Sequence, residues 1–120
     1  MVNTKCVREP PADSDGERIL VTRYWPRGMS RERLRISGRM RPDLAPSVGL
    51  LKAWKSGTIT WTEYVERYHQ EMAVRSEEIA TLAAKSHAGI ITLLCHEREG
   101  NPHCHRHLLK EMIMQSMSSA

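Results

Sequence analysis

The stretch SEEIATLAAKSHAGIITLLCHEREGNPHCHRHLLK, Ser76 to Lys110, decides the architecture of the chain. Ser76 reads as an N-cap, Glu77 and Glu78 occupy a first turn where the helix dipole favours acids, and Gly89 reads as the stop. The run that follows, IITLLC, is too short for a helix and apolar but for Thr92, as a strand covered on both faces is. After a polar turn, Asn101 as cap and Pro102 at the first helical position predict a last helix running to about Gln115. A helix, a buried strand and another helix form the unit of a parallel sheet with helices packed on it.

The flanking sequence repeats this grammar. RILVTRYW, with Ile19, Leu20 and Val21 in succession, predicts a second buried strand that PRG ends, and TKCVRE predicts an edge strand followed by the turn-rich loop PPADSDG. Ser30 caps a short basic helix, RERLRIS, that Gly38 stops, whereas MRPDLAPS is irregular. Ser47 caps VGLLKAWKSG, with Leu50, Leu51 and Trp54 on one face and Gly57 as the stop. Thr60 and Glu63 make a capping box, and Tyr64, Val65, Tyr68 and Met72 recur at helical spacing as a core stripe. The expectation is one α/β domain over residues 1–120, with a small, mostly parallel sheet flanked by helices. Residues 1–17 form its N-terminal strand and loop, and residues 116–120 a frayed tail.

Composition narrows the function classes. A chain of 120 residues with 40% apolar and 27% charged residues is ordinary for one globular domain. No run approaches the roughly 18 apolar residues of a membrane span. The first residues carry no apolar signal core, so a cytoplasmic location without a membrane partner is expected. Three scattered cysteines, Cys6, Cys95 and Cys104, are too few for a secreted disulfide framework and fit a reducing compartment. Residues 1–45 hold ten Lys or Arg against six acids, and residues 46–120 hold eight of each, so the net charge of +4 is local. Eight arginines and one acid lie between Arg18 and Arg41, and guanidinium suits bidentate contact with phosphate or carboxylate.

In open parallel sheets ligands sit beyond the carboxyl ends of the strands, here Arg23–Gly28 and Cys95–Glu97. Cys104, placed in the first turn of the last helix on one face with Leu108 and Met112, points toward the sheet and toward Cys95. Cysteines separated by eight residues do not match the usual zinc spacings. Adjacent side chains on a helix also diverge, so Cys104 and His105 are not expected to share an ion and no metal is assigned. Phosphate loops of the usual kinds are absent, and no cofactor is expected. The surviving reading is an anion pocket for an anionic or phosphorylated small molecule. Arg23, Arg27 and Arg106 bind the anion, Trp25 and Gly28 shape the pocket, Glu97 or His105 handles protons, and Cys95 or Cys104 is nucleophile or wall. The alternative is a nucleic-acid-binding face over residues 18–41, for which only Tyr24 and Trp25 interleave aromatics with the charge. A thiol redox or metal site at Cys95 and Cys104 is the further alternative.

VTRYWPRGMS, PDLAPS, TEYVERYHQEM and ITLLCHEREGNPHCHR together resemble the YeaO-like proteins of domain-of-unknown-function family 488, from about Arg18 to Ile113. The W-P-R-G motif of that family falls on Trp25, Pro26, Arg27 and Gly28, preceded by Arg23. Its Cys-x-Glu and Cys-His-Arg motifs fall on Cys95, Glu97, Cys104, His105 and Arg106. Thr22 stands where YeaO-like members commonly carry Asp, so any role of that acid in orienting the neighbouring arginine is unfilled or moved. The resemblance implies a small α/β protein and supplies no reaction.

Overall fold

Three short segments, β1 (Val2–Cys6), β2 (Glu17–Leu20) and β3 (Ile91–Cys95), pair as a parallel sheet in the order β1-β3-β2. The computed structural model describes residues 1–96 and 103–119, with side chains through residue 116. β3 takes the centre because all five of its residues are apolar or hydrogen-bonded and all are buried, which only the middle of a covered sheet provides. Val2 and Glu17 both align with Ile91, so the strands run in step, and Val7 and Val21 extend the ladder by donating to the carbonyls of Cys95 (2.8 Å) and Leu94 (3.1 Å). The carboxyl ends of β2 and β3 are therefore neighbours.

The strand alternation separates two cores. Ile19, Val21, Ile91 and Leu93 face the larger one, which α2 (Val48–Lys55), α3 (Trp61–Met72), α4 (Ser76–Ala88) and α5 (His105–Ser119) complete with Leu50, Tyr68, Leu82 and Ile113. Leu20 and Leu94 face a smaller cluster with Cys6, Val7 and Leu34, the last from α1 (Arg31–Leu34). Leu20 and Leu94 at full burial each contribute on the order of 2 kcal/mol of apolar transfer energy. Both faces of the sheet are covered, as the unbroken apolar runs require.

Capping chemistry operates as the sequence implies. The Ser30, Ser47 and Thr60 side chains accept from Arg33, Leu50 and Glu63 N–H groups, and the Glu63 carboxylate accepts the Thr60 N–H in return. Elsewhere the boundaries move. Ser76 is not a cap but the first residue of α4, because α3 continues through a 3-10 turn at Ala73–Arg75. α1 ends at Arg35 in the left-handed region, φ 50°, well before Gly38. The residues beyond it serve the outer edge of β2, where Ser37 and Arg41 donate to the carbonyls of Arg18 and Leu20 at 2.8 and 2.7 Å. Those carbonyls would otherwise be unpaired edge groups. α5 begins at His105 and runs on to Ser119, because no Gly or Pro stops it after Gln115. The expected Asn101 cap and Pro102 start lie outside the described residues. Among the described residues no helix is long and apolar enough to cross a membrane.

Candidate functional site

A cleft of about 750 Å³ opens where the carboxyl ends of β2 and β3 meet the start of α5. One wall is the W-P-R-G turn. Gly28 adopts φ +73°, which lets Met29 N–H reach the Pro26 carbonyl at 3.4 Å, and the Trp25 indole N–H clamps the same turn by donating to Met29 O at 2.7 Å. Arg27 is thereby carried exposed at the cleft edge. Arg23 lines the cleft with Nε donating to the Pro46 carbonyl (2.9 Å) and Nη2 to that of Pro42 (3.4 Å). Thr22, in the position of the family acid, turns its hydroxyl to Tyr24 O at 2.9 Å. Arg23 is oriented by two backbone carbonyls of the segment between the Arg-rich stretch and α2.

The floor is built by Cys95, Cys104 and His105. Parity along β3 puts Cys95 on the same face as Leu93, and Cys104 sits in the turn immediately before α5, not inside it. From there its Sγ donates to Cys95 Sγ at 3.0 Å and accepts the Arg106 backbone N–H, as a cap residue does. His105 Nδ1 stands 3.9 Å from both sulfurs, while Nε2 meets the Val21 carbonyl at 2.5 Å. A carbonyl only accepts, so that contact puts a ring proton on Nε2, and Nδ1 of the neutral ring then turns its lone pair to the thiols. The expectation that Cys104 and His105 diverge is thus overturned. That rule holds for neighbours within a helix, and Cys104 precedes it.

The hydrogen bond to Cys95, then burial, then the Cys95 charge push the Cys104 thiol well above the ordinary thiol range, against the Arg106 N–H and charge. Cys104 is therefore the thiol that keeps its proton and donates it. Behind the cluster, Tyr68 lies with its ring centre 5.8 Å from that of His105 and donates to Leu44 O at 2.7 Å. Burial pushes its phenol well up, so it acts as a neutral donor.

The motif residues do not all converge. Arg106 is fully buried, is not among the lining residues, and sends Nη1 to the Lys5 carbonyl at 3.1 Å. Gly28 shapes its turn without lining the cleft, and Glu97 lies outside the described residues. The Arg18–Arg41 stretch is also partly spent internally. Arg18 is buried against Asp15, Arg41 pairs with Asp43 at 2.9 Å, and Arg31 donates to the Gly38 carbonyl. His96, within the strand end Cys95–Glu97, also lines the cleft, which further recruits three residues that sequence reading left aside: Arg8, Lys55 and His103. His103 stacks on Trp61 with ring centres 4.5 Å apart. No local signal marks these three, which lie in a turn, at a helix end and just before α5 and are brought together by the fold. None of the described lining residues is acidic.

Comparison with known proteins gives the family of the chain. A family profile described as "Active DUF488-N3 subclade" matches residues 2–117, which includes both motif segments. "Uncharacterized protein YeaO" of Escherichia coli (strain K12) is 34% identical over 95 residues, covering 78% of this chain and 82% of that protein. No solved structure matches. On the extent of the profile and the identity of that relative, the chain belongs to the DUF488 family, in the subclade that the profile describes.

Proposed function

We propose that the cleft binds an anionic small molecule of nucleotide-like shape, its phosphate or carboxylate held at Arg23 and Arg27. The observation that carries this reading is the charge of the rim: Arg8, Arg23, Arg27 and Lys55 line the cleft, with no acid among the described lining residues. Such one-signed focusing raises the local concentration of an anion. Tyr24, Trp25 and Trp54 add aromatic surface to the same cleft, suited to the flat, apolar part of the ligand. Arg106 acts from beneath the floor, through its charge and its backbone N–H, and not by touching the ligand. The Cys95, Cys104 and His105 cluster then lies where a bound anion presents its reactive part.

The test is a thermal-shift screen of nucleotides, sugar phosphates and inorganic phosphate on the metal-free chain. A ligand present at a hundred times its Kd stabilises by about 2.7 kcal/mol, roughly 10 °C for a domain of this size. Arg23→Ala and Arg27→Ala should each weaken binding about ten- to a hundredfold, the value of one charge-assisted contact, and rising salt should weaken it further. A melting temperature unmoved by every member of the panel refutes the reading.

A further inference from the structure

We propose that Cys95, Cys104 and His105 bind a thiophilic divalent cation of the zinc class, with three protein ligands and a fourth position facing the cleft. The inference goes beyond the anion reading and does not depend on it.

The donor set and its geometry carry the case. Two sulfurs and one imidazole nitrogen, all buried, lie within 4.8 Å of one another. A tetrahedral zinc ion bound at about 2.3 Å to sulfur and about 2.0 Å to nitrogen sets its sulfurs roughly 3.8 Å apart and each sulfur about 3.5 Å from the nitrogen. Both sulfur-to-nitrogen distances, 3.9 Å, are within a few tenths of an ångström of that. The sulfurs, 3.0 Å apart, must open by roughly 0.8 Å as the ion enters and both thiol protons leave to solvent, a small side-chain rotation.

Two surrounding contacts are those a metal-bound cluster uses. The Val21 carbonyl fixes the His105 ring so that Nδ1 offers its lone pair to the ion, the usual outer partner of a ligating imidazole. The Arg106 backbone N–H donates to Cys104 Sγ, so it would stabilise a metal-bound thiolate there once the ion has displaced the proton. Two thiolates also neutralise a divalent cation, so the loaded centre adds no net charge to the buried floor and does not repel the cationic rim. Three protein ligands with an open fourth position is the arrangement of catalytic rather than structural zinc. The open position faces the space that Arg23 and Arg27 border, so a metal-bound water there would meet an anionic ligand.

The experiment titrates the full chain, reduced and stripped with chelator, with Co(II) under anaerobic conditions and then with Zn(II). The expected result is a near-ultraviolet sulfur-to-cobalt charge-transfer band that saturates at one equivalent and is bleached by one equivalent of zinc. Cys95→Ser and Cys104→Ser should lose the band, while Cys6→Ser, packed in the smaller cluster with Leu20 and Leu94, keeps it. Zinc should also protect Cys95 and Cys104 of the unaltered chain from alkylation, a readout that survives if a variant fails to fold. The proposal is overturned if no band forms in folded protein, if the band persists in both serine variants, or if the two cysteines form a reversible disulfide with equimolar zinc present. Because anion binding is measured on the metal-free chain, failure here leaves that reading standing, and its failure leaves this one standing.

Discussion

Asp15→Asn is the substitution that tests most directly how β2 is held. The Asp15 carboxylate is buried, bonded to Arg18 Nη1 at 2.5 Å and Lys5 Nζ at 2.8 Å, and accepts the Ala12 N–H at 3.0 Å. Arg18 is equally buried, and its Nε donates to Leu34 O at 2.8 Å. The amide keeps the shape but leaves a guanidinium buried without its counter-charge. Breaking such a pair costs about 3–5 kcal/mol, and the amide oxygen can still accept one hydrogen bond, so the lower end, about 3 kcal/mol, is expected. With a urea slope of about 2 kcal/mol per molar for a domain of this size, the unfolding midpoint falls by roughly 1.5 M. Adding Arg18→Met removes the stranded charge and should recover part of the loss, so the two substitutions will not add.

The pH dependence has a definite sign. Burial raises the Asp15 pKa, but the hydrogen bonds from Lys5, Ala12 and Arg18 outweigh it and hold the carboxyl below its ordinary value. The stabilisation is therefore complete above the unfolded pKa, about 3.9, and is lost as pH falls through the lowered native value. The difference between the parent and Asp15→Asn should shrink on acidification below about pH 4. A urea midpoint for Asp15→Asn within about 0.5 M of the parent at pH 7, or strict additivity with Arg18→Met, would falsify the argument.

Three further substitutions probe the elements that position the cleft. Gly16 has φ +64°, and a Cβ there would lie 2.1 Å from the Ile90 carbonyl oxygen that accepts the Glu17 N–H, so Gly16→Ala should cost about 3 kcal/mol or more by disrupting the start of β2; unchanged denaturation would contradict this. Thr60→Ala removes one half of the α3 capping box and should cost about 1 kcal/mol, read from the urea midpoint. Tyr68→Phe leaves the buried Leu44 carbonyl without its 2.7 Å donor and should cost about 1–3 kcal/mol, and a stability equal to the parent's would mean that another donor reaches that carbonyl.

The sequence by itself determined the parallel α/β architecture, the caps at Ser30, Ser47 and Thr60 and the two strand ends that border the cleft. These follow from interactions reaching only a few residues: apolar period, cap hydrogen bonds and glycine's freedom at positive φ. The same local rules misplaced the ends of α1 and α5 and read Ser76 as a cap, because edge groups of β2 and the continuity of α3 with α4 set those boundaries. Only the tertiary structure decided which motif residues meet. The start of α5 at His105 puts Cys104 in the preceding turn, so two neighbouring side chains converge on Cys95 where helical geometry would have separated them. Arg106, one residue further, is turned under β1 and away from the cleft, while Arg8 and Lys55 arrive from distant parts of the chain. Side-chain direction at a helix start and contact between remote segments depend on the packing of the sheet and five helices together, and no local pattern encodes either.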